Sequence, residues 1–312
     1  MQNYMFLFNG WWYVLILASI MILSGIIKKY YLFVPVFNFL IRKIKNKKLL
    51  VVLLSTLGGV LPVPGRVIIS AGLLDTIASK DPKKRSKFGI VDYLATHHYY
   101  LWSPLEKTIL IPMAVLKLSY LGVLGYTWPL LLISLIILVV YILQLDPDDI
   151  SLKTAEEITS EDDALESTEK KWFRFIDWKT ILFVFVVIII GNLVKQNSTD
   201  IKTYIETIAQ GFSSGTFTFI WISIIAFFGS FIMGSSSKFA GITALLTNIF
   251  GLHYFTYFFA IEFAGYLLSP MHKCVAISMS YFKTPIRKYY FVILIWCILL
   301  IITGIITILF NK

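Results

Sequence analysis

The sequence predicts an all-α membrane protein. It reads as about six transmembrane helices plus two re-entrant hairpins, arranged as an inverted-topology repeat with helices broken at Ser-Pro. Three observations lead there. First, the 312 residues are 57% hydrophobic and 15% charged, with a mean hydropathy of +0.77, well outside the composition of soluble domains. Second, apolar runs near 10–27, 121–145, 179–194 and 289–310 approach the roughly 20 residues a spanning helix needs, and no barrel-type alternation appears. Third, "YLWSPLEKTILI" at 100–111 is nearly rewritten as "YLLSPMHKCVAI" at 266–277.

Charge sets the threading. The net charge of +10 comes largely from clusters at 42–48, 80–87, 169–179 and 283–288, the pattern of cytoplasmic flanks of spans and not of a nucleic-acid partner. The run 10–27 ends in Lys28-Lys29 rather than a cleavage site, so it reads as a retained span entering the cytoplasm. An interfacial stretch, 30–43, follows. The segment 49–79 has bases at both ends and "LPVPG" in its middle; its limbs of about a dozen residues each are too short to span, which predicts a cytoplasmic-side hairpin. A broken helix over 90–117 then runs outward and 121–145 returns, closing a first repeat over 1–145.

Residues 146–178 hold most of the acids and read as a solvated cytoplasmic linker. The second repeat, 179–312, runs in the same order. Span 179–194 leads to an amphipathic stretch at 198–211, a hairpin over 214–250 entering from outside, a broken helix over 252–282 and a span over 289–310. An odd number of crossings per half turns the second half upside down, with both termini outside.

The breaks carry the expected chemistry. Pro104 and Pro270, like Pro62 in the first hairpin, remove a backbone donor and interrupt the helix, baring carbonyls on one side and N–H groups on the other. Pro64, Gly65, Arg66, Ser236, Ser237 and Lys238 at the hairpin tips, with Ser103, Lys107, Ser269, His272 and Lys273 at the breaks, therefore form the expected substrate-binding set. Because bases outnumber acids there, the substrate should be a small anion. Ser235, Ser236, Glu106, Glu262 and His97 are candidates for a coupling ion or proton, since ionisable groups in a bilayer cost about 2.5–3.5 kcal/mol each and seldom lack a purpose. No metal centre and no cofactor other than a coupling Na⁺ is expected, because the adjacent His97 and His98 point to different faces of a helix. Cys274 and Cys297 both sit in apolar segments and imply no disulfide framework.

The stretches "GGVLPVPGRVIISAGLLD", "VDYLATHHYYLWSPLEK" and "SPMHKCVAISMSYFK" resemble the motifs of a prokaryotic multi-pass membrane family known as domain of unknown function 401, grouped with the ion-transporter superfamily of citrate, dicarboxylate and gluconate carriers. The late Ser-Pro-x-His motif would fall on Ser269, Pro270 and His272. The resemblance implies hairpins with broken helices, the cytoplasmic (inner) membrane, a homodimer and coupling to Na⁺ or H⁺.

Residues and resemblance together predict a cation-coupled secondary transporter of an anionic solute, working by alternating access around a midplane site. Paired hairpins with a "PVPGR" tip also suit a polyprenyl or lipid-phosphate translocase. A membrane enzyme fits less well, since no nucleophile elbow, zinc signature or spaced carboxylate pair is present.

Overall fold

The structure is a computed structural model that describes residues 10–30, 32, 34–60, 66–79, 81–147, 150, 176–197, 199–200, 203, 207 and 215–310. Every regular element among these is a helix, apart from an isolated bridge between Ala78 and Ile150. In chain order they are α1 (Trp12–Lys29), α2 (Val34–Lys43), α3 (Lys47–Val60), α4 (Arg66–Ile77), α5 (Pro82–His97), a 3₁₀ turn (His98–Leu101), α6 (Lys107–Leu116), α7 (Tyr120–Leu143), α8 (Trp178–Gln196), α9 (Gly215–Met233), α10 (Ser236–Phe250), a short 3₁₀ turn (Leu252–Tyr254), α11 (Phe255–Leu268), α12 (Lys273–Phe282) and α13 (Ile286–Phe310).

Two of these, α7 and α13, are long and apolar enough to cross a membrane, and only a third of each apolar window is buried. Their outer faces show Trp128, Leu132, Val139, Phe291, Ile302 and Phe310 to the surroundings. Both are covered on one side only, since α13 packs along α11 and α7. An apolar helix buried on one face and bare on the other is what a bilayer solvates.

Several boundaries differ from the sequence expectation, each for a local reason. Helix α5 starts at Pro82 rather than near 90, because proline suits the first helical turn and Asp81 starts that turn by accepting from the Arg85 amide. It also ends at His97, well before Ser103, tightening into the 3₁₀ turn; the first break therefore begins upstream of its proline. At the second break α11 runs to Leu268 and stops directly at Ser269. The first limb of the second hairpin, α9, has 19 residues, about 28 Å of helix. No turn residue interrupts it until Gly234, whose φ of +53° supplies the left-handed turn that glycine adopts without strain.

Packing is crossed between the halves. The second limb of the first hairpin, α4, lies on α12, while the second limb of the other hairpin, α10, lies on α6. Side-chain contacts give the direction of α5 and its 3₁₀ turn relative to α11 and the break that follows. Tyr93 and His97 meet His272, whereas Tyr100 meets Phe263 and Tyr266, so the two segments run antiparallel. Close approaches lock the arrangement: α11 crosses α9 at Gly265, where a Cβ would overlap the Phe227 carbonyl oxygen.

Candidate functional site

The two breaks share one serine-centred turn 166 residues apart, the spacing of the Tyr100–Tyr266 pair. At the first, the Ser103 amide donates to the Tyr99 carbonyl and the Glu106 amide to the Ser103 carbonyl. At the second, the His272 amide donates to the Ser269 carbonyl in the same way. Each serine hydroxyl accepts from the amide two residues on, Leu105 at 3.4 Å and Met271 at 3.2 Å, the local turn serine favours. The helices that follow, α6 and α12, have 10 residues each. They end at Lys117 and Lys283, both left-handed, with φ of 58° and 48°.

Equivalent residues meet at the centre. The Tyr100 and Tyr266 hydroxyls are 2.8 Å apart, both buried. Beside them the Nε2 atoms of His97 and His272 are 3.3 Å apart. His97 Nδ1 lies 2.7 Å from the Tyr93 carbonyl oxygen, and since a carbonyl only accepts, that nitrogen carries the proton. His272 Nδ1 is 3.3 Å from the Tyr93 hydroxyl, which is also 3.1 Å from the Leu267 carbonyl. Tyr93, His97, Tyr100, Tyr266 and His272 thus make one buried polar cluster joining the halves.

If Tyr100 and Tyr266 support each other, Tyr100→Phe and Tyr266→Phe should each lower stability by about 1–2 kcal/mol. The double variant should cost less than the sum, with a coupling near 1 kcal/mol. Thermal or denaturant melts of the four proteins measure this directly; strict additivity would deny the contact.

Two buried carboxyls flank the cluster. Glu262 on α11 is fully buried; its Oε2 accepts from the Ser230 hydroxyl on α9 at 3.1 Å, while Oε1 and the nearby Thr243 hydroxyl on α10 find no hydrogen-bond partner. Asp92 on α5 is buried with both oxygens lacking a hydrogen-bond partner, close to Ser70 on α4 and Tyr289 on α13. Each carboxyl thus hangs from the helix before a break and faces a hydroxyl on the second limb of its own hairpin.

Among the other expected site residues, Glu106 is buried and its carboxylate accepts from the Lys107 amide at 3.0 Å. Ser103, Ser269 and Ser237 are buried, Ser235 and Ser236 half-buried, and the Ser235 and Ser237 hydroxyls lie 3.2 Å apart. Lys107 is half-buried, while Lys238 and Lys273 are exposed, as are Pro104 and Pro270. The buried charged side chains at the breaks are therefore acids, and the lysines stand outside them. Gly234 packs on Ser269 and Met271, which brings the tip leading to Lys238 against the break leading to Lys273. Pro62, Pro64, Gly65 and the side chain of Arg66 lie outside the described residues.

Sequence reasoning did not single out Asp92, Tyr93, Tyr100 or Tyr266 as site residues. A lone aspartate inside the apolar run after Phe88 was a readable signal for the first. His98 turns away from His97 and accepts from the Trp102 indole at 2.9 Å. The partner of His97 is His272, from the other half.

These features define an all-helical protein whose two interrupted helices run antiparallel and share a buried polar centre. Residues 159–310, which hold α8 to α13, match the family model described as protein of unknown function, DUF401. No curated protein and no solved structure matches the chain.

Proposed function

We propose that the protein is a secondary active transporter of a small anionic solute, coupled to Na⁺ or H⁺ and built as an inverted repeat in a prokaryotic inner membrane. The observation that carries this reading is the pair of helix breaks built on the same Ser-Pro motif, antiparallel and in contact. Interrupted helices related by a two-fold axis in the membrane plane are the usual site of alternating-access carriers, and nothing in mere packing calls for them twice. The motif resemblance to the ion-transporter superfamily agrees with it. Glu262, with Ser230 and Thr243, is the seat for the coupling cation, because a carboxyl with hydroxyl neighbours suits hard ions and protons. The exposed Lys238 and Lys273, beside the Gly234 tip, attract the anion.

One observation favours a second reading, a polyprenyl or lipid-phosphate translocase: Lys238, Lys273 and Met271 are open to the surroundings, as a headgroup grip facing lipid would be. Melting the detergent-purified protein against a panel of carboxylates, phosphate and other anions, with and without Na⁺, separates the two. A soluble anion at about 100 times its Kd should add roughly 2.7 kcal/mol, more with Na⁺ present, and Lys238→Ala with Lys273→Ala should erase the shift. A response to a polyprenyl phosphate alone would replace the carrier with the translocase. Silence from both would remove the anion from either reading.

A further inference from the structure

We infer that His97, His272 and Cys274 form a binding site for a d-block cation of the Zn²⁺ class. Two imidazole nitrogens and one thiol sulfur lie within 4.8 Å of one another. The histidines are buried and the cysteine half-buried. Two nitrogens held 2.0–2.1 Å from a tetrahedral ion are about 3.3 Å apart, and the Nε2 atoms of His97 and His272 are separated by 3.3 Å.

The surroundings are wired as those of metal-bound histidines usually are, with the second ring nitrogen held by an oxygen. His97 Nδ1 is tied to the Tyr93 carbonyl at 2.7 Å, which leaves its Nε2 as the lone-pair side of the neutral ring. His272 Nδ1 faces the Tyr93 hydroxyl at 3.3 Å, and that hydroxyl reaches the Leu267 carbonyl at 3.1 Å. With the tyrosine proton given to Leu267, His272 donates to the phenol oxygen and its Nε2 too is a lone pair aimed at the centre. Tyr93 stacks on His97 with centroids 3.9 Å apart, so one residue holds both rings.

The donor set selects the ion. Nitrogen and sulfur suit Zn²⁺, Cu⁺ or Co²⁺ and not Na⁺ or Mg²⁺, so this centre is chemically distinct from the Glu262 seat and does not depend on the transport reading. Three protein donors leave the fourth tetrahedral position for a solvent or solute oxygen, the arrangement of open zinc sites. Binding releases the thiol proton. Because His97 belongs to the first half and His272 with Cys274 to the second, the ion would tie the halves together at their contact.

The test is a Co²⁺ titration of the full-length, detergent-purified protein, read by visible absorption, with Zn²⁺ as competitor and metal content measured after dialysis. The expected result is one ion per chain, tetrahedral d–d bands, a thiolate-to-cobalt charge-transfer band and displacement by Zn²⁺. Cys274→Ser should lose the charge-transfer band, and His97→Gln or His272→Gln the tetrahedral bands. Cys297→Ser, whose thiol is buried elsewhere and points to the Ala264 carbonyl, should change nothing. Tyr93→Phe should keep the charge-transfer band yet weaken Zn²⁺ affinity about 10-fold or more. Folded wild-type protein without tetrahedral bands would overturn the assignment, as would a charge-transfer band that survives Cys274→Ser. The serine variant alters a half-buried side chain by one atom, so it decides the matter even if a histidine variant does not fold.

Discussion

Glu262→Gln is expected to fold and to lose its response to the cation proposed to couple transport. Glutamine keeps the shape and the contact with Ser230 but gives up the charge. A charge-assisted contact is worth about 1.5–3 kcal/mol, so affinity for the proposed cation should fall roughly 10- to 100-fold or a little more. In proteoliposomes this appears as loss of uphill uptake under an imposed Na⁺ or proton gradient; in melts it appears as loss of the Na⁺- or pH-linked shift. Ser230→Ala, which leaves the carboxyl in place, should cost only a fraction of that. Asp92→Asn is the informative comparison, because Asp92 is as buried as Glu262 and has neither oxygen hydrogen-bonded. Should Glu262→Gln retain full coupling while Asp92→Asn loses it, the seat of the cation moves to the first half.

The second large effect concerns stability. A Cβ at Gly265 would overlap the Phe227 carbonyl oxygen and press on the Phe231 amide, both backbone, so no side chain can yield and α11 must retreat from α9. Gly265→Leu is expected to cost about 3 kcal/mol or more, a large part of the 5–15 kcal/mol typical of a folded protein. Gly265→Ala should fall between that and wild type. The control is Gly125→Ala on α7, where nothing lies within 4 Å; there alanine should be neutral or stabilise by up to about 1 kcal/mol. Denaturation and size-exclusion profiles in one detergent compare all three. Equal melts for the alanine variants at 265 and 125 would mean that the α9–α11 crossing is wrong.

The Tyr-Leu-x-Ser-Pro-x-x-Lys repeat is legible in the sequence, and with it the matched short helices α6 and α12. A repeated motif constrains backbone locally, and proline, serine and the following lysine act within a few residues of themselves. The pairing of His97 with His272 was not readable, because 175 residues separate them and only the antiparallel crossing brings them together. The lysines show the same limit from the other side. Composition placed Lys238 and Lys273 near the tips and breaks, but whether such a residue faces inward depends on which helix face is covered, and a long aliphatic stem lets the charge reach outward. The length of α9 was ambiguous for a simpler reason: an unbroken apolar run does not announce whether a bilayer or a neighbouring helix will surround it.

The crossed packing of α4 on α12 and α10 on α6 bears on how the halves depend on each other. The second limb of each hairpin finds part of its cover in the opposite half, so a half in isolation would leave one face of that helix bare. In this respect the chain behaves as a heterodimer whose subunits happen to be joined end to end. The covalent joint supplies effective concentration, while the recognition lies in the helices themselves.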